Sequence, residues 1–143
     1  SLQDPESKMS KSDSNENSYV LITDSPDVIR RKFKRSVTDS IGVVNYTDEQ
    51  PGVKNLINIY SKISNIKPEE IVSNYESKGY ATLKQDVAEV VIEELKPIQE
   101  RIDYLLKNKD YLEKIYNAGA QKAEVVANKT LKKAQKKVGF IPR

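Results

Sequence analysis

The sequence predicts an all-α protein, a helical bundle of about five helices preceded by a flexible loop and a short extended segment. Three observations carry this. Apolar residues recur at i, i+3, i+4 and i+7 through most of the chain beyond residue 50. Prolines stand at Pro26, Pro51 and Pro68, each just ahead of such a stretch, where the first helical turn accepts them. Residues 1–18 are rich in Ser, Asp and Asn and show no period at all. At 143 residues the chain suits one domain with a buried core of its own.

Each element follows in order. Residues 1–18 read as a loop, expected to be mobile for want of apolar anchors. Tyr19-Val20-Leu21-Ile22 reads as one strand or as an extended segment packed on helices. Ser25-Pro26-Asp27 is a helix start, with Ser as the cap and Asp at the positive end of the dipole. That helix is expected to reach about Ser36, with Val28, Ile29, Phe33 and Val37 inward. Residues 38–51 read as a long loop. A second helix over about 52–64 buries Val53, Leu56, Ile57, Tyr60 and Ile63. Pro68-Glu69-Glu70 opens a short third helix that turns Ile71, Val72 and Tyr75 inward and ends at Gly79. The fourth, about 81–107, carries a stripe from Leu83 through Val87, Val91, Leu95 and Ile98 to Leu105, with Pro97 expected to kink it. Asp110 is expected to cap a fifth helix over 111–138. Its buried face would be Leu112, Ile115, Ala120, Ala123, Val126, Leu131 and Val138, with Gly139 as its stop. Gly119 would either let a neighbour approach closely or break the helix.

Composition limits the chemistry. There is no His, no Cys and no Trp. That removes disulfides, thiolate nucleophiles, imidazole metal ligands and any Ser-His-Asp triad within this chain. A net charge of +3 is too small to imply a nucleic-acid partner, but its distribution is uneven. Residues 30–35, Arg-Arg-Lys-Phe-Lys-Arg, are five-sixths basic, and the last fifteen residues hold six basic groups and no acid. Both clusters read either as footprints for phosphates or as solvated faces, the second at a helix C-terminus where cations suit the dipole. No apolar run approaches the ~20 residues needed to span a bilayer, and the N-terminus has no signal-peptide pattern. The expected location is the cytoplasm. The first residue is not Met, so the chain reads as a fragment or a processed form.

The stretch that carries chemistry is Lys8-Met9-Ser10-Lys11-Ser12-Asp13. Two lysines three apart, between small hydroxyls on a loop, suit a polyphosphate whose charge grows in a transition state. Solvated surface is the plain alternative for such a composition. The context is more specific. Lys-Met-Ser-Lys-Ser is spelled out in full, Leu2-Gln3-Asp4-Pro5 precedes it and Asp13 follows it. Val37-Thr38-Asp39-Ser40, Pro51-Gly52-Val53, Asp86-Val87-Ala88-Glu89, Pro97-Ile98-Gln99-Glu100-Arg101, Gly119-Ala120 and Val138-Gly139-Phe140 come after it in that order. Together these resemble the C-terminal part of the bacterial tryptophanyl-tRNA synthetases, of the class I aminoacyl-tRNA synthetases, across about residues 2–140. The tyrosyl enzymes share the fold, but their loop usually departs from this spelling.

The resemblance implies an enzyme that activates tryptophan with ATP and Mg2+ and passes it to its tRNA, tRNA(Trp). Residues 1–18 would be the signature loop and residues 19–143 the helical anticodon-binding domain, without the nucleotide-binding domain that holds the tryptophan pocket. Lys8, Met9, Ser10, Lys11 and Ser12 would contact ATP. Lys8 and Lys11 would be the catalytic pair, with Lys11 stabilising the leaving pyrophosphate and Met9 packing at the base of the loop. No metal ligand is expected in this chain. Lys84, Gln85, Arg101 and Lys122 are the candidate tRNA contacts, each set against a structural alternative. Arg101 also suits a pairing with Asp86, and Lys122 suits plain solvation. The intact enzyme would be a homodimer, while this part alone would be inactive and hold no cofactor. Two other readings stay open: a stand-alone tRNA-binding helical module, and the corresponding part of a tyrosyl-tRNA synthetase.

Overall fold

A computed structural model describes residues 1–140. The helices are α1 (Pro26–Lys34), α2 (Pro51–Ser64), α3 (Pro68–Asn74), α4 (Tyr80–Lys107) and α5 (Lys109–Lys137). The all-α class stands: among the described residues there is no strand, and residues 19–22 form no regular element, with residue 22 in a turn. Contacts divide the chain into Ser1–Glu100 and Arg101–Arg143.

The first unit holds the core. Ile29 and Phe33 of α1, Val53, Leu56 and Ile57 of α2, Ile71 of α3, and Leu83, Val87, Val91 and Ile92 of α4 are all buried. Each fully buried side chain of this size is worth about 1.5–3 kcal/mol. Pro26 and Pro51 occupy the first helical position, where the missing N–H costs nothing. Ser25 marks the start of α1 but makes no capping hydrogen bond, so proline and Asp27 define that end. α1 stops two residues before the expected Ser36, because the Ser36 hydroxyl donates to the carbonyl of Phe33 (2.7 Å) and competes with the helical ladder. Val37 is accordingly exposed and not part of the buried stripe.

α2 ends at Asn65, a left-handed residue with φ 57°. Gly52 in its first turn is required by close approach: a Cβ there would lie 2.2 Å from the carbonyl oxygen of Val37. α3 ends at Asn74 rather than at Gly79. Gly79 instead opens α4, its carbonyl accepting the amides of Thr82 (3.2 Å) and Leu83 (3.4 Å). α4 continues through Pro97 as one helix of 28 residues.

One apolar anchor was invisible in the composition of the loop. Leu2 is 1% exposed and belongs to the core, so residues 1–18 do not lack an anchor.

The second unit contradicts an expectation. No residue of α5 is buried, and Ile115, Val126, Leu131 and Val138 are all exposed. The predicted inward face is amphipathic spacing without burial. Late on α4 the stripe also loses cover, with Ile98 exposed and Leu105 half-buried. α5 begins at Lys109 rather than Tyr111, and Asn108, not Asp110, takes the capping position. Asn108 spends its side-chain amide on the Tyr104 carbonyl (2.7 Å), which also closes the end of α4. Gly119 does not interrupt the helix, and a Cβ there would meet nothing. Gly139 does stop it. At φ 82° it lets Phe140 N–H reach the Gln135 carbonyl (2.9 Å) and its own N–H reach Lys136 (3.4 Å), the two bonds of a Schellman motif.

Candidate functional site

The loop that carries the lysine pair is closed at its base by main-chain bonds. Leu2 N–H donates to the Ser18 carbonyl (2.9 Å), and Val37 N–H donates to the Leu2 carbonyl (2.9 Å). The side-chain amide of Gln3 reaches the Arg35 carbonyl (2.8 Å), and that of Asn55 on α2 reaches the Ser1 carbonyl (3.2 Å). The ends of an excursion of 15 intervening residues are thus held together against the end of α1 and the start of α2.

Between those ends the chain turns on its own polar side chains. Asn15 N–H donates to Asp13 Oδ1 (2.8 Å), and Asn17 N–H to Asn15 Oδ1 (3.0 Å), two successive Asx-turns. Ser10 accepts at its carbonyl from Asp13 N–H (3.2 Å) and at its hydroxyl from Ser12 N–H (3.4 Å). Lys8, Ser10, Lys11 and Ser12 are all exposed at this tip. Met9 alone is half-buried and packs against the core. The tip therefore offers two ammonium groups and two hydroxyls to solvent while its one apolar side chain points home.

The basic block on α1 is divided by the fold. Arg30 makes two hydrogen bonds to the carboxylate of Glu89 on α4 (2.6 and 3.0 Å) and one to Asp27 (3.1 Å). The bonds from Arg30 hold Glu89 below its ordinary pKa. Lys32 is buried in an ion pair with Asp24 (2.7 Å), with side-chain exposures of 5% and 11%, and sits 4.9 Å from the Tyr19 ring centroid. It is unavailable to a phosphate. Asp24 also accepts from Leu21 N–H (2.9 Å), and the amide of Gln99 donates to the carbonyls of Ile22 (2.8 Å) and Asp24 (2.9 Å). This latch fastens the chain just after the loop to α1 and α4. Arg31, Lys34 and Arg35 remain exposed.

Two of the four candidate RNA contacts fall together. Lys84 and Gln85 line a cleft of about 530 Å³ with Arg30, Lys34, Ala81, Ala88 and Glu89. Gln85 is exposed, whereas Lys84 is half-buried and its ammonium donates to the Ser36 carbonyl (2.7 Å). Burial pushes the Lys84 pKa below its ordinary value. In the second unit Arg101 is exposed and lies 5.0 Å from the ring centroid of Tyr104, and Lys122 is exposed on α5. Asp86 accepts from the hydroxyl of the buried Tyr75 (2.5 Å).

One polar cluster went unrecognised in the sequence. Gln50 is 1% exposed and accepts from Asn45 N–H (3.1 Å) while donating to the Val43 carbonyl (3.0 Å) and the Tyr80 hydroxyl (2.8 Å). Asp39 Oδ1 accepts from Ile41 N–H (2.8 Å), Gln50 (3.2 Å) and the Tyr80 hydroxyl. Burial pushes the Asp39 carboxyl up, but those donors outweigh it and hold it below its ordinary value. This cluster ties segment 39–50 to the start of α4. Spacings of 11 and 30 residues from Gln50 left no periodic signal to find it by.

The family model for tRNA synthetases class I (W and Y) matches residues 1–96, the loop and four of the helix starts. The chain belongs to that family. A tryptophan–tRNA ligase of Clostridium perfringens is 61% identical over 142 residues, which is 99% of this chain and 43% of the relative. That of Bacillus subtilis is 46% identical over 141 residues, 98% of this chain and 42% of the relative. The crystal structure of tryptophanyl-tRNA synthetase from Mycoplasma pneumoniae matches 72% of this chain and 34% of its own, at 26% identity and a TM-score of 0.65. The chain thus spans less than half the length of the curated relatives it matches. Among the described residues, no helix is long and apolar enough to cross a membrane.

Proposed function

We propose that this chain is the C-terminal part of a tryptophan–tRNA ligase, supplying the ATP-phosphate loop and the helices that face the tRNA. The observation that carries the reading is 61% identity to a tryptophan–tRNA ligase along 99% of this chain, with the Lys8–Ser12 pentapeptide intact and its charged groups exposed. An ATP triphosphate fits that tip by charge. Lys8 and Lys11 would neutralise its oxygens, the Ser10 and Ser12 hydroxyls would add hydrogen bonds, and Lys11 would offset charge gathering on the departing pyrophosphate. Magnesium would arrive with the nucleotide. This chain's own contribution to the charge at the tip would be the two exposed lysines.

Tryptophan would bind in a part of the protein outside this chain, and the assembly would be a homodimer in the cytoplasm. The tRNA would meet Gln85 and Lys84 at the cleft, and Arg101 and Lys122 from the second unit. Phosphate contacts would fix its position, and unstacked bases would be read by polar groups such as Gln85.

The test uses the complete gene product. Tryptophan-dependent exchange of pyrophosphate into ATP is expected, and Lys11→Ala should slow it about 100-fold or more, the usual cost of one lost transition-state donor. Exchange driven by tyrosine instead of tryptophan would overturn the assignment. So would a Lys11→Ala variant as fast as the parent.

A further inference from the structure

Lys84 is an odd residue for this core. The residue is half-buried, and among the described residues no carboxylate lies within ion-pairing distance of its ammonium. The hydrogen bond it makes is to a neutral backbone carbonyl, that of Ser36. A partly desolvated charge whose hydrogen bond goes to a neutral carbonyl is only partly compensated.

The Ser36 carbonyl belongs to the peptide that also contains the Val37 amide. That amide holds the Leu2 carbonyl (2.9 Å), and Leu2 N–H in turn holds Ser18 (2.9 Å). Behind this segment stands Gly52, whose missing side chain lets α2 press against the Val37 carbonyl. A rigid peptide plane transmits the grip on one side to the bond on the other. Lys84 on α4 and the base of the lysine-bearing loop are therefore joined by three consecutive hydrogen bonds, Lys84 to Ser36, Val37 to Leu2 and Leu2 to Ser18.

We propose that Lys84 is a positioning residue for the signature loop, fixing the 36–37 peptide that carries Leu2 and thereby setting where Lys8 and Lys11 stand. This rests on the loop being the ATP loop, as proposed above. It goes beyond the RNA contact proposed for Lys84, because it makes the residue matter before any RNA is present.

The experiment is pyrophosphate exchange by the complete gene product without tRNA, comparing the parent with Lys84→Met and Lys84→Arg. Lys84→Met keeps the stem and removes the donor. It should raise KM for ATP about 10-fold, leave KM for tryptophan within about 2-fold, and Lys84→Arg should restore most of the loss. Hydrogen exchange at the Leu2 and Val37 amides should quicken about 10-fold in Lys84→Met, with the amides of α2 unchanged. An unchanged KM for ATP together with unchanged exchange at Leu2 and Val37 overturns the proposal. A general loss, with both KM values and the α2 amides affected, overturns it too, since the residue would then only hold the fold. A parent enzyme without tryptophan-dependent exchange would instead strike the functional reading, while the amide measurement still reports on the link.

Discussion

Residues 1–100 and the helix α5 carry the same kind of apolar periodicity and put it to opposite use. In the first, the periodic residues of four helices meet and are sealed from water, together with Leu2 and Val44 from the intervening chain. In the second, Ile115, Val126 and Leu131 of the expected buried face remain open to solvent. Periodicity states that a helix has an apolar side. Burial depends on what else lies against that side, which a pattern along one helix does not encode.

The largest effect that would break this contrast comes from the core. Phe33→Ala should cost about 3–5 kcal/mol of unfolding free energy through the cavity left in α1's packing. Val126→Ala on α5 should stay within about 0.5 kcal/mol. Denaturant titrations of the two variants would settle this, and comparable losses would mean that α5 is buried in solution. A middle-sized effect is expected at Gly52→Ala, where a methyl must displace a carbonyl rather than a flexible side chain. We expect about 1–3 kcal/mol, with faster hydrogen exchange at Val37.

The smallest effect sharpens the polar side of the first unit. Asp39 titrates below its unfolded value, so it stabilises the fold fully above that value, ~3.9. The benefit is lost as pH falls through the folded pKa. Asp39→Asn should therefore be the less stable protein near neutrality, and the gap should close below about pH 4. A gap that persists unchanged at about pH 2 would assign the stabilisation to shape rather than charge.

Local chemistry was what the sequence made legible. Pro26, Pro51 and Pro68 each stand at a helix start, and Gly139 ends α5, because these residues act through their own backbone torsions and need no distant partner. The Lys8–Ser12 motif was likewise legible as a spelling. Missed were features that depend on distant residues. Gly79 looked like a stop and is a start. Leu2, alone among polar neighbours, gave no period and proved to be core. The Gln50–Asp39–Tyr80 cluster joins positions far apart in the sequence, and hydrogen bonds of that kind leave no mark on neighbouring composition.

The clamp at the base of the loop is built largely from main-chain atoms, which gives it an unusual tolerance. Substituting residues between Leu2 and Ser18 leaves its N–H and C=O groups in place. Changing their number does not cut the clamp either, since even doubling a loop's length costs only about 0.6 kcal/mol. What an insertion does alter is reach: each added residue moves the ammonium groups of Lys8 and Lys11 relative to an unmoved base. The loop is accordingly forgiving of spelling away from its tip and strict about counting, and its length is the quantity that sets how far two positive charges extend from the helices.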